Sequence, residues 1–176
     1  MPSDADIPDE LSPVEPDRPP RSVGFLISQL GFLSSKSFMG ALEPLGIDPK
    51  EFLLLRFVAA AEGQSQQALA ERMGVPPSRM VALVDRLEED GLLERRPHPE
   101  DRRIRALHLT ATGRGVLARA GKIAVGFEGE LCAALEEGER DQLIDLLQKL
   151  QVDQRGPRGV HPGFAGGHPK GQPDDP

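Results

Sequence analysis

Hydrophobic residues recur every three or four positions along most of the chain, the spacing of one face of an α-helix. This spacing predicts helices over 23–42, 49–61, 66–73 and 77–90, a long helix from 111 to about 135, and a last helix that contains Leu143 to Leu150. Residues 92–96 and 103–110 are predicted to be strands, joined by a turn at 97–101. The expected fold class is mainly α with a small antiparallel β wing.

Residues typical of helix ends support these boundaries. Asp48 precedes a proline and lies three positions before Glu51, which is the pattern of a helix start. Ser65 can cap the helix that follows it, and Gly74 suits the left-handed residue that ends a helix. Pro77 fits the first turn of the next helix, where a backbone N–H has no intrahelical partner.

The helix predicted from residue 77 has two different faces. One face is apolar at positions i, i+3, i+4 and i+7 and should pack on the core: Met80, Leu83, Val84 and Leu87. Another stripe should point outward and is the candidate surface for recognition: Arg79, Ala82 and Arg86.

The order of elements from residue 65 to residue 110 is that of a winged helix-turn-helix. In this region the chain resembles MarR-family transcriptional regulators, on the motifs LVDRL at 83–87, GLLERR at 91–96, and DRR at 101–103 followed by LT at 109–110 and glycine at 113. The resemblance covers roughly residues 23–152. The family often has a polar or basic residue where this chain has Ala82.

The chain is predicted to have three parts, which are one domain implied by the resemblance and a flanking segment on each side of it. A winged-helix domain spans 22–152, with a DNA-binding module over about 49–110 and dimerisation helices over about 22–43 and 111–152. Outside it, residues 1–21 hold six prolines and six acidic residues, and residues 153–176 hold six glycines and five prolines. These compositions predict a disordered acidic arm and a disordered tail, because neither can bury much apolar surface.

The resemblance also implies the residues that contact DNA. They are Gln66, Gln67, Pro77, Ser78, Arg79, Val81, Ala82, Arg86, Arg96, Asp101, Arg102 and Arg103. Arg79 and Arg86 would contact bases or phosphates, Ser78 and Val81 would contact bases, and Gln66 and Gln67 would contact the phosphate backbone. In the wing, Asp101 would orient Arg103 into the minor groove beside Arg102. For Arg95 and Arg96, a structural salt bridge is as good an interpretation as a DNA contact.

Charge is unevenly distributed along the chain, whose net charge is −7. Residues 1–20 carry six acidic residues and one arginine, whereas residues 95–105 carry five arginines and two acidic residues. DNA responds to the local field of the face that it meets. The acidic total therefore does not exclude nucleic acid as a partner.

Other chemistry has little support. The chain has no G-x-S-x-G, phosphate-loop or H-E-x-x-H motif, so we expect neither an enzyme nor a cofactor. The four histidines lie apart without a second ligand at zinc spacing, which favours surface histidines over a metal site. Cys132 has no cation beside it in the sequence, which favours a quiet, partly buried thiol over a redox sensor.

The resemblance further implies a small aromatic or anionic effector, bound between the dimer helices and the DNA-binding module. Four phenylalanines are candidates to line such a crevice, although phenylalanines at helical spacing are more often core residues: Phe32, Phe38, Phe52 and Phe57. No apolar run approaches a membrane span, and the acidic N-terminus does not resemble a signal peptide. We therefore expect a cytoplasmic protein with no membrane partner.

The expected function is a sequence-specific, double-stranded DNA-binding transcriptional regulator. It would act as a repressor and a homodimer on a pseudo-palindromic operator, with release by a small-molecule effector. The alternative is a winged-helix dimerisation or protein-interaction module without specific DNA binding. The arginine-bearing wing and the outward arginines favour DNA.

Overall fold

Six helices and one two-stranded antiparallel sheet form the residues that the computed structural model describes, 22–97 and 105–152. In chain order the elements are α1 (Val23–Leu42), α2 (Pro49–Ala60), α3 (Gln66–Met73), α4 (Pro77–Glu89), β1 (Leu93–Pro97), β2 (Arg105–Leu109), α5 (Ala111–Leu131) and α6 (Glu139–Val152). A short 3-10 turn at Glu43–Leu45 joins α1 to α2. The disordered arm and tail predicted for 1–21 and 153–176 lie outside the described residues, and the division into functional parts remains a prediction.

Two helices of the predicted DNA-binding module, α2 and α3, begin at the predicted capping residues. Asp48 Oδ1 accepts hydrogen bonds from the backbone N–H groups of Lys50 at 2.7 Å and Glu51 at 2.8 Å, while Glu51 Oε2 accepts from Asp48 N–H at 2.7 Å. This reciprocal capping box fixes the start of α2. Ser65 Oγ accepts from Ala68 N–H at 3.1 Å and caps α3 in the same manner.

The sheet pairs β1 with β2, with Leu93 opposite Leu109 and Pro97 opposite Arg105. The segment before α3 also pairs with β2 over a very short stretch. Gly63 N–H donates to the Leu107 carbonyl and Leu107 N–H donates to the Gln64 carbonyl, both at 3.0 Å. The wing is thereby joined to the helix-turn-helix through backbone hydrogen bonds.

The first strand begins one residue later than the sequence predicted. Gly91 has a φ of +67° and ends α4, and Leu92 N–H then donates to the Leu87 carbonyl at 2.8 Å. Leu92 therefore belongs to the C-terminal cap of the helix, and its N–H is not available to a strand. The second strand begins at Arg105 among the described residues, so most of the predicted turn lies outside them.

The LT-x-x-G motif joins the wing to α5. Thr110 Oγ donates to the Gly91 carbonyl at 2.6 Å and accepts from Gly113 N–H at 2.9 Å, so one hydroxyl caps α5 and holds the turn after α4. A Cβ atom placed on Gly113 would lie 2.0 Å from the Leu92 carbonyl oxygen. Only glycine permits this approach of α5 to the wing.

The core lies between α2, α3, α4, the inner face of the sheet and the first half of α5. Its largest fully buried side chains include Leu54, Leu55, Leu69, Met73, Met80, Leu87, Leu93, Leu107 and Leu109. Phe52 is buried as well, and Phe38 packs against it and against Phe127, with ring centroids 6.0 and 5.2 Å apart. Phe57 is half-buried under the guanidinium of Arg72.

The first and last helices of the described chain differ from this core. In α1 and α6 the apolar stripes are largely exposed, and Phe32, a candidate for core or crevice, is 70% exposed. The helix α5 ends at Leu131, four residues before the predicted end. Leu135 N–H donates to the Cys132 carbonyl in a turn, and the predicted break follows at Gly138, whose φ is +86°.

Candidate nucleic-acid interface

The helix-turn-helix presents the start of α4 to solvent. No side chain caps this end, because Pro76 occupies the N-cap position, and Pro77, Ser78 and Arg79 are all exposed. The N-terminus of a helix carries a partial positive charge that favours anions. An uncapped, exposed helix start is therefore suited to a phosphate group.

Both predicted faces of α4 are present. Met80, Val84 and Leu87 are buried, and Leu83 is half-buried against the core. The outward residues are exposed: Arg79, Val81, Ala82 and Arg86. This exposed edge runs the length of the helix.

Arg86 is exposed but not free. Its Nε atom lies 2.9 Å from Glu51 Oε1 on α2 and 3.9 Å from Asp90 Oδ2. The Glu51 side chain is only 1% exposed, whereas that of Arg86 is 59% exposed. Burial raises the pKa of Glu51 above its ordinary value, although the Asp48 N–H and the Arg86 guanidinium act in the opposite direction.

Arg95 on β1 is a structural residue that joins three elements. Its Nη1 atom binds Glu88, and its Nη2 atom lies 2.5 Å from Asp85 Oδ1 and 3.0 Å from Gln66 Oε1. Desolvation acts to lower the pKa of Arg95, but the hydrogen bonds that Arg95 donates to Asp85 and Glu88 outweigh it and raise that pKa. Of the two interpretations for Arg95, the salt bridge is observed. Glu88, near the end of α4, is part of the same cluster.

The two glutamines at the start of α3 have different surroundings. The Gln66 oxygen is occupied by Arg95, so only its amide nitrogen remains available to an acceptor on DNA. Gln67 is exposed and its Nε2 donates to Glu71 at 3.2 Å. Gln66, Gln67 and Pro77 line one shallow groove between α3 and α4.

The wing is described only at its base. Arg96 is exposed and binds Glu94, the residue two positions earlier on the same strand. This hydrogen bond raises the pKa of Arg96. Asp101, Arg102 and Arg103 lie outside the described residues, so their predicted contacts stay predictions.

Glu62 forms a second polar link, between the α2–α3 connection and α5. Its Oε1 atom accepts from Arg114 and, at 3.3 Å, from Leu109 N–H, while its Oε2 atom lies 4.0 Å from His108 Nδ1. Desolvation acts to raise the pKa of Glu62, but the hydrogen bonds from Arg114 and Leu109 lower it overall.

Sequence reasoning did not find Glu51, Glu62 or Glu88 as partners of the arginines. Glu51 was identified only as a capping residue, and nothing in the local pattern indicates a partner 35 positions away. Helical periodicity could have indicated one part of the cluster around Arg95. Glu88 lies three positions after Asp85, so the two carboxylates share a face of α4.

Within 22–97 and 105–152, no group of three metal-binding side chains converges. None of the helices in that part of the chain is both long and apolar enough to span a membrane.

Comparisons with known proteins agree with this geometry. A family model described as the MarR family matches residues 45–104. A proposed transcriptional regulatory protein for the hcr operon of Thauera aromatica is 34% identical over 135 residues, which cover 72% of this chain and 81% of that protein. The chain belongs to the MarR family. The members of this family are DNA-binding transcriptional regulators and not enzymes. This chain is therefore a DNA-binding transcriptional regulator.

Solved structures of the MarR family have the same fold. The transcriptional repressor CouR, bound to a 23-mer DNA duplex, matches with a TM-score of 0.66 and 32% identity over 73% of this chain and 92% of CouR. CouR from Rhodococcus jostii RHA1 has also been solved with p-coumaroyl-CoA. The MarR-family protein Rv2887 of Mycobacterium tuberculosis, in complex with DNA, matches with a TM-score of 0.62 and 28% identity over 73% of this chain and 97% of Rv2887. The predicted fold class is thereby confirmed.

Proposed function

We propose that this MarR-family regulator is a repressor that binds a pseudo-palindromic operator as a homodimer. The observation that carries the proposal is the exposed edge of α4 together with its uncapped N-terminus. Two such helices, related by a two-fold axis, would enter successive major grooves. The DNA-bound repressors CouR and Rv2887 support this mode of action.

The homodimer is proposed from the apolar surfaces of α1 and α6. Leu30, Leu146 and Leu150 are each more than half exposed, and they belong to stripes that continue along both helices. A monomer would leave these stripes in water, whereas contiguous exposed apolar surface usually marks an interface. A second copy of the chain would cover these stripes, and the two-fold axis of the dimer would place the two α4 helices for two half-sites of the operator.

The proposed contacts follow the exposed residues of α3 and α4. Arg79 at the first turn of α4 and Ser78 beside it would meet base edges, with Pro77, Val81 and Ala82 against the groove wall. Gln67 and the amide nitrogen of Gln66 would bind phosphates. In the wing, Arg103 would enter the minor groove with Asp101 and Arg102 beside it, and Arg96 would contribute only charge.

We also propose an aromatic, anionic effector. The support is the p-coumaroyl-CoA bound by CouR, together with the aromatic cluster of Phe38, Phe52 and Phe127 beside the apolar face of α1. Arg56 lies 5.7 Å from the Phe52 ring and could balance the charge of such a ligand. Release from DNA would follow if the ligand bound preferentially to a conformation of the dimer in which the distance between the two α4 helices does not match the operator.

The decisive experiment begins with sequencing the DNA that co-purifies with the full chain. The recovered site and a scrambled duplex of equal length are then titrated at two salt concentrations, and sedimentation gives the stoichiometry. We expect one dimer per site and a preference for the site over the scrambled duplex at both salt concentrations. A monomer at micromolar concentration, or equal binding to both duplexes, would contradict the proposal and favour a protein-interaction module.

A further inference from the structure

Glu51 is a buried carboxylate that does more than cap α2. Its Oε2 atom accepts from Asp48 N–H at 2.7 Å and completes the capping box. Its Oε1 atom is buried and has no hydrogen bond of acceptable geometry among the described residues, although the Nε atom of Arg86 lies 2.9 Å away. The charge on Oε1 is thus balanced by an ion pair across two helices.

The capping box does not require this charge. Glutamine serves in the same position of a capping box as well as glutamate, because only one side-chain oxygen accepts the hydrogen bond. A buried carboxylate is costly unless it is paired, so a neutral residue would make a simpler helix start. What the carboxylate adds is its contact with Arg86, on the helix that faces DNA.

We propose that Glu51 is a positioning residue for DNA binding, which holds the Nε atom of Arg86 and directs the rest of the guanidinium toward DNA. The inference rests on the proposed function, in which Arg86, as the resemblance implies, also contacts a base or a phosphate of the operator. Arg86 reaches from a buried anchor to an exposed surface, and its side chain is 59% exposed while that of Glu51 is 1% exposed. An arginine held in this way loses less conformational freedom on binding than an unanchored one.

Asp90 is the natural comparison, because among the described residues it is the second carboxylate near Arg86. Its Oδ2 atom lies 3.9 Å from Nε, and its side chain is 48% exposed, so the contact is screened by water. Asp48, Arg86 and Asp90 are the charged groups that act on Glu51. Of these three, Arg86 and Asp90 lie at α4, whereas Asp48 caps the start of α2.

The titration of Glu51 separates positioning from folding. Because burial raises its pKa in the folded protein above the ordinary value of 4.5, the fold favours protonated Glu51. The stability that this raised pKa gives is present below 4.5 and is lost as the pH rises through the folded value. Glu51→Gln is neutral at every pH, so it should be at least as stable as the wild type at neutral pH while no longer holding Arg86.

The experiment uses the full chain, the operator identified as above and a scrambled duplex. Wild type, Glu51→Gln, Arg86→Ala, the double variant and Asp90→Asn are titrated in parallel, with denaturant unfolding of each. We expect Glu51→Gln to weaken operator binding about three- to tenfold per subunit, the effect of leaving one long side chain to be ordered on binding. The unfolding midpoint of Glu51→Gln should not fall. The double variant should bind like Arg86→Ala, and Asp90→Asn should stay within about twofold of wild type.

A pH series gives a second readout that a purely structural role would not change. The ratio of the dissociation constants of Glu51→Gln and wild type should fall toward one as the pH is lowered from neutral through the raised pKa of Glu51, because wild-type Glu51 then becomes neutral too. A constant ratio would overturn the proposal.

The outcomes also separate this inference from the proposed function. If wild type does not prefer the operator to the scrambled duplex, the proposed function fails and the role of Glu51 falls with it. If wild type is specific but Glu51→Gln binds equally well, only the positioning role is overturned. The same holds if Arg86→Ala binds like wild type, or if the two losses multiply in the double variant.

Discussion

Arg95 of the wing strand and Asp85 of α4 are joined across the DNA-binding module, with Arg95 Nη2 2.5 Å from Asp85 Oδ1. The same guanidinium binds Glu88, one turn further along α4, and Gln66 on α3. One arginine therefore fixes the angle between the wing and both helices of the helix-turn-helix. Its observed contacts hold α3, α4 and the wing strand together.

Replacing Arg95 should lower the stability of the fold. Arg95→Ala would leave Asp85 and Glu88 as two neighbouring unpaired carboxylates, and we expect the free energy of unfolding to fall by about 1–2 kcal/mol, because the pair is only partly shielded from water. Arg96→Ala is the matched control on the same strand, since Arg96 is exposed and, within the described part of the chain, binds Glu94 alone. Denaturant unfolding measures both variants. Equal stability for the two would contradict the structural role of Arg95.

The close packing of α5 on the wing gives a steric prediction. Gly113→Ala would place a methyl group 2.0 Å from the Leu92 carbonyl oxygen, so we expect a loss of roughly 1–3 kcal/mol or more from forced backbone movement. Gly115→Ala lies two residues along the same helix, where the added carbon would meet nothing within 4 Å in the described residues apart from the local helix backbone and its two chain neighbours. This control should be neutral or stabilising by up to about 1 kcal/mol, because alanine favours a helix. Similar unfolding midpoints would show that α5 can move away from Leu92 at no cost.

Glu62 should make stability depend on acid pH. Hydrogen bonds from Arg114 and Leu109 lower its pKa in the folded protein, against the effect of desolvation, so its contribution is present above the ordinary value and lost as the pH falls through the folded value. We expect wild type to be more stable than Glu62→Gln at pH 7, with the difference disappearing as the pH falls through the lowered pKa of Glu62. Glu43→Gln, at an exposed carboxylate in the turn after α1, is the matched control for the loss of one carboxylate and should change the free energy of unfolding at pH 7 by less than about 0.5 kcal/mol. A difference between wild type and Glu62→Gln that is constant with pH would mean that the charge of Glu62 is not responsible.

Arg103 tests recognition in the minor groove against simple charge. Lysine is an adequate point charge but is more strongly hydrated and lacks the planar fork of arginine. We therefore predict that Arg103→Ala and Arg103→Lys both weaken operator binding by about 1–3 kcal/mol per subunit, the size of a good base-edge contact. Arg96→Lys should be nearly silent. If Arg103→Lys binds the operator like wild type at two salt concentrations, the residue is a phosphate contact or a structural one.

The proposed dimer surface can be tested without disturbing the core. Leu147 on α6 is exposed, so Leu147→Glu should leave the helical content unchanged while it places two charges in the proposed interface. We expect a monomer in sedimentation at concentrations where wild type is a dimer, because an unpaired charge is strongly unfavourable in an apolar interface. Operator binding should weaken in parallel. A dimer of wild-type stability would exclude this face of α6 from the interface.

Local patterns were sufficient for the helices of the DNA-binding module. Its helix starts and the glycine that ends α3 depend on residues a few positions apart, and Asp48, Ser65 and Gly74 all have their predicted roles. The end of α5 was predicted four residues too late, because apolar residues continue at helical spacing into the turn after Cys132. Periodicity does not distinguish a helix from the turn that follows it.

Pairs between elements were not accessible to the same reasoning. Arg95 lies 29 positions from Gln66 and 10 from Asp85, and its cluster forms only after the sheet has folded onto α4. For this reason Arg95 had two equally good interpretations in the sequence. For Arg86, the outward direction was correct, but its buried partner depends on how α2 packs against α4.

The connection between β2 and α5 has a mechanical consequence. A single residue, Thr110, separates the wing strand from α5, and the hydroxyl of Thr110 and the contact at Gly113 leave no flexible joint there. The 21 residues of α5 form a lever about 30 Å long, at a rise of about 1.5 Å per residue. A tilt of about 5° at its far end would displace the wing by roughly 2–3 Å, which exceeds the tolerance of a hydrogen bond to a base edge. Small rearrangements near Leu131 would thus move the wing relative to the DNA.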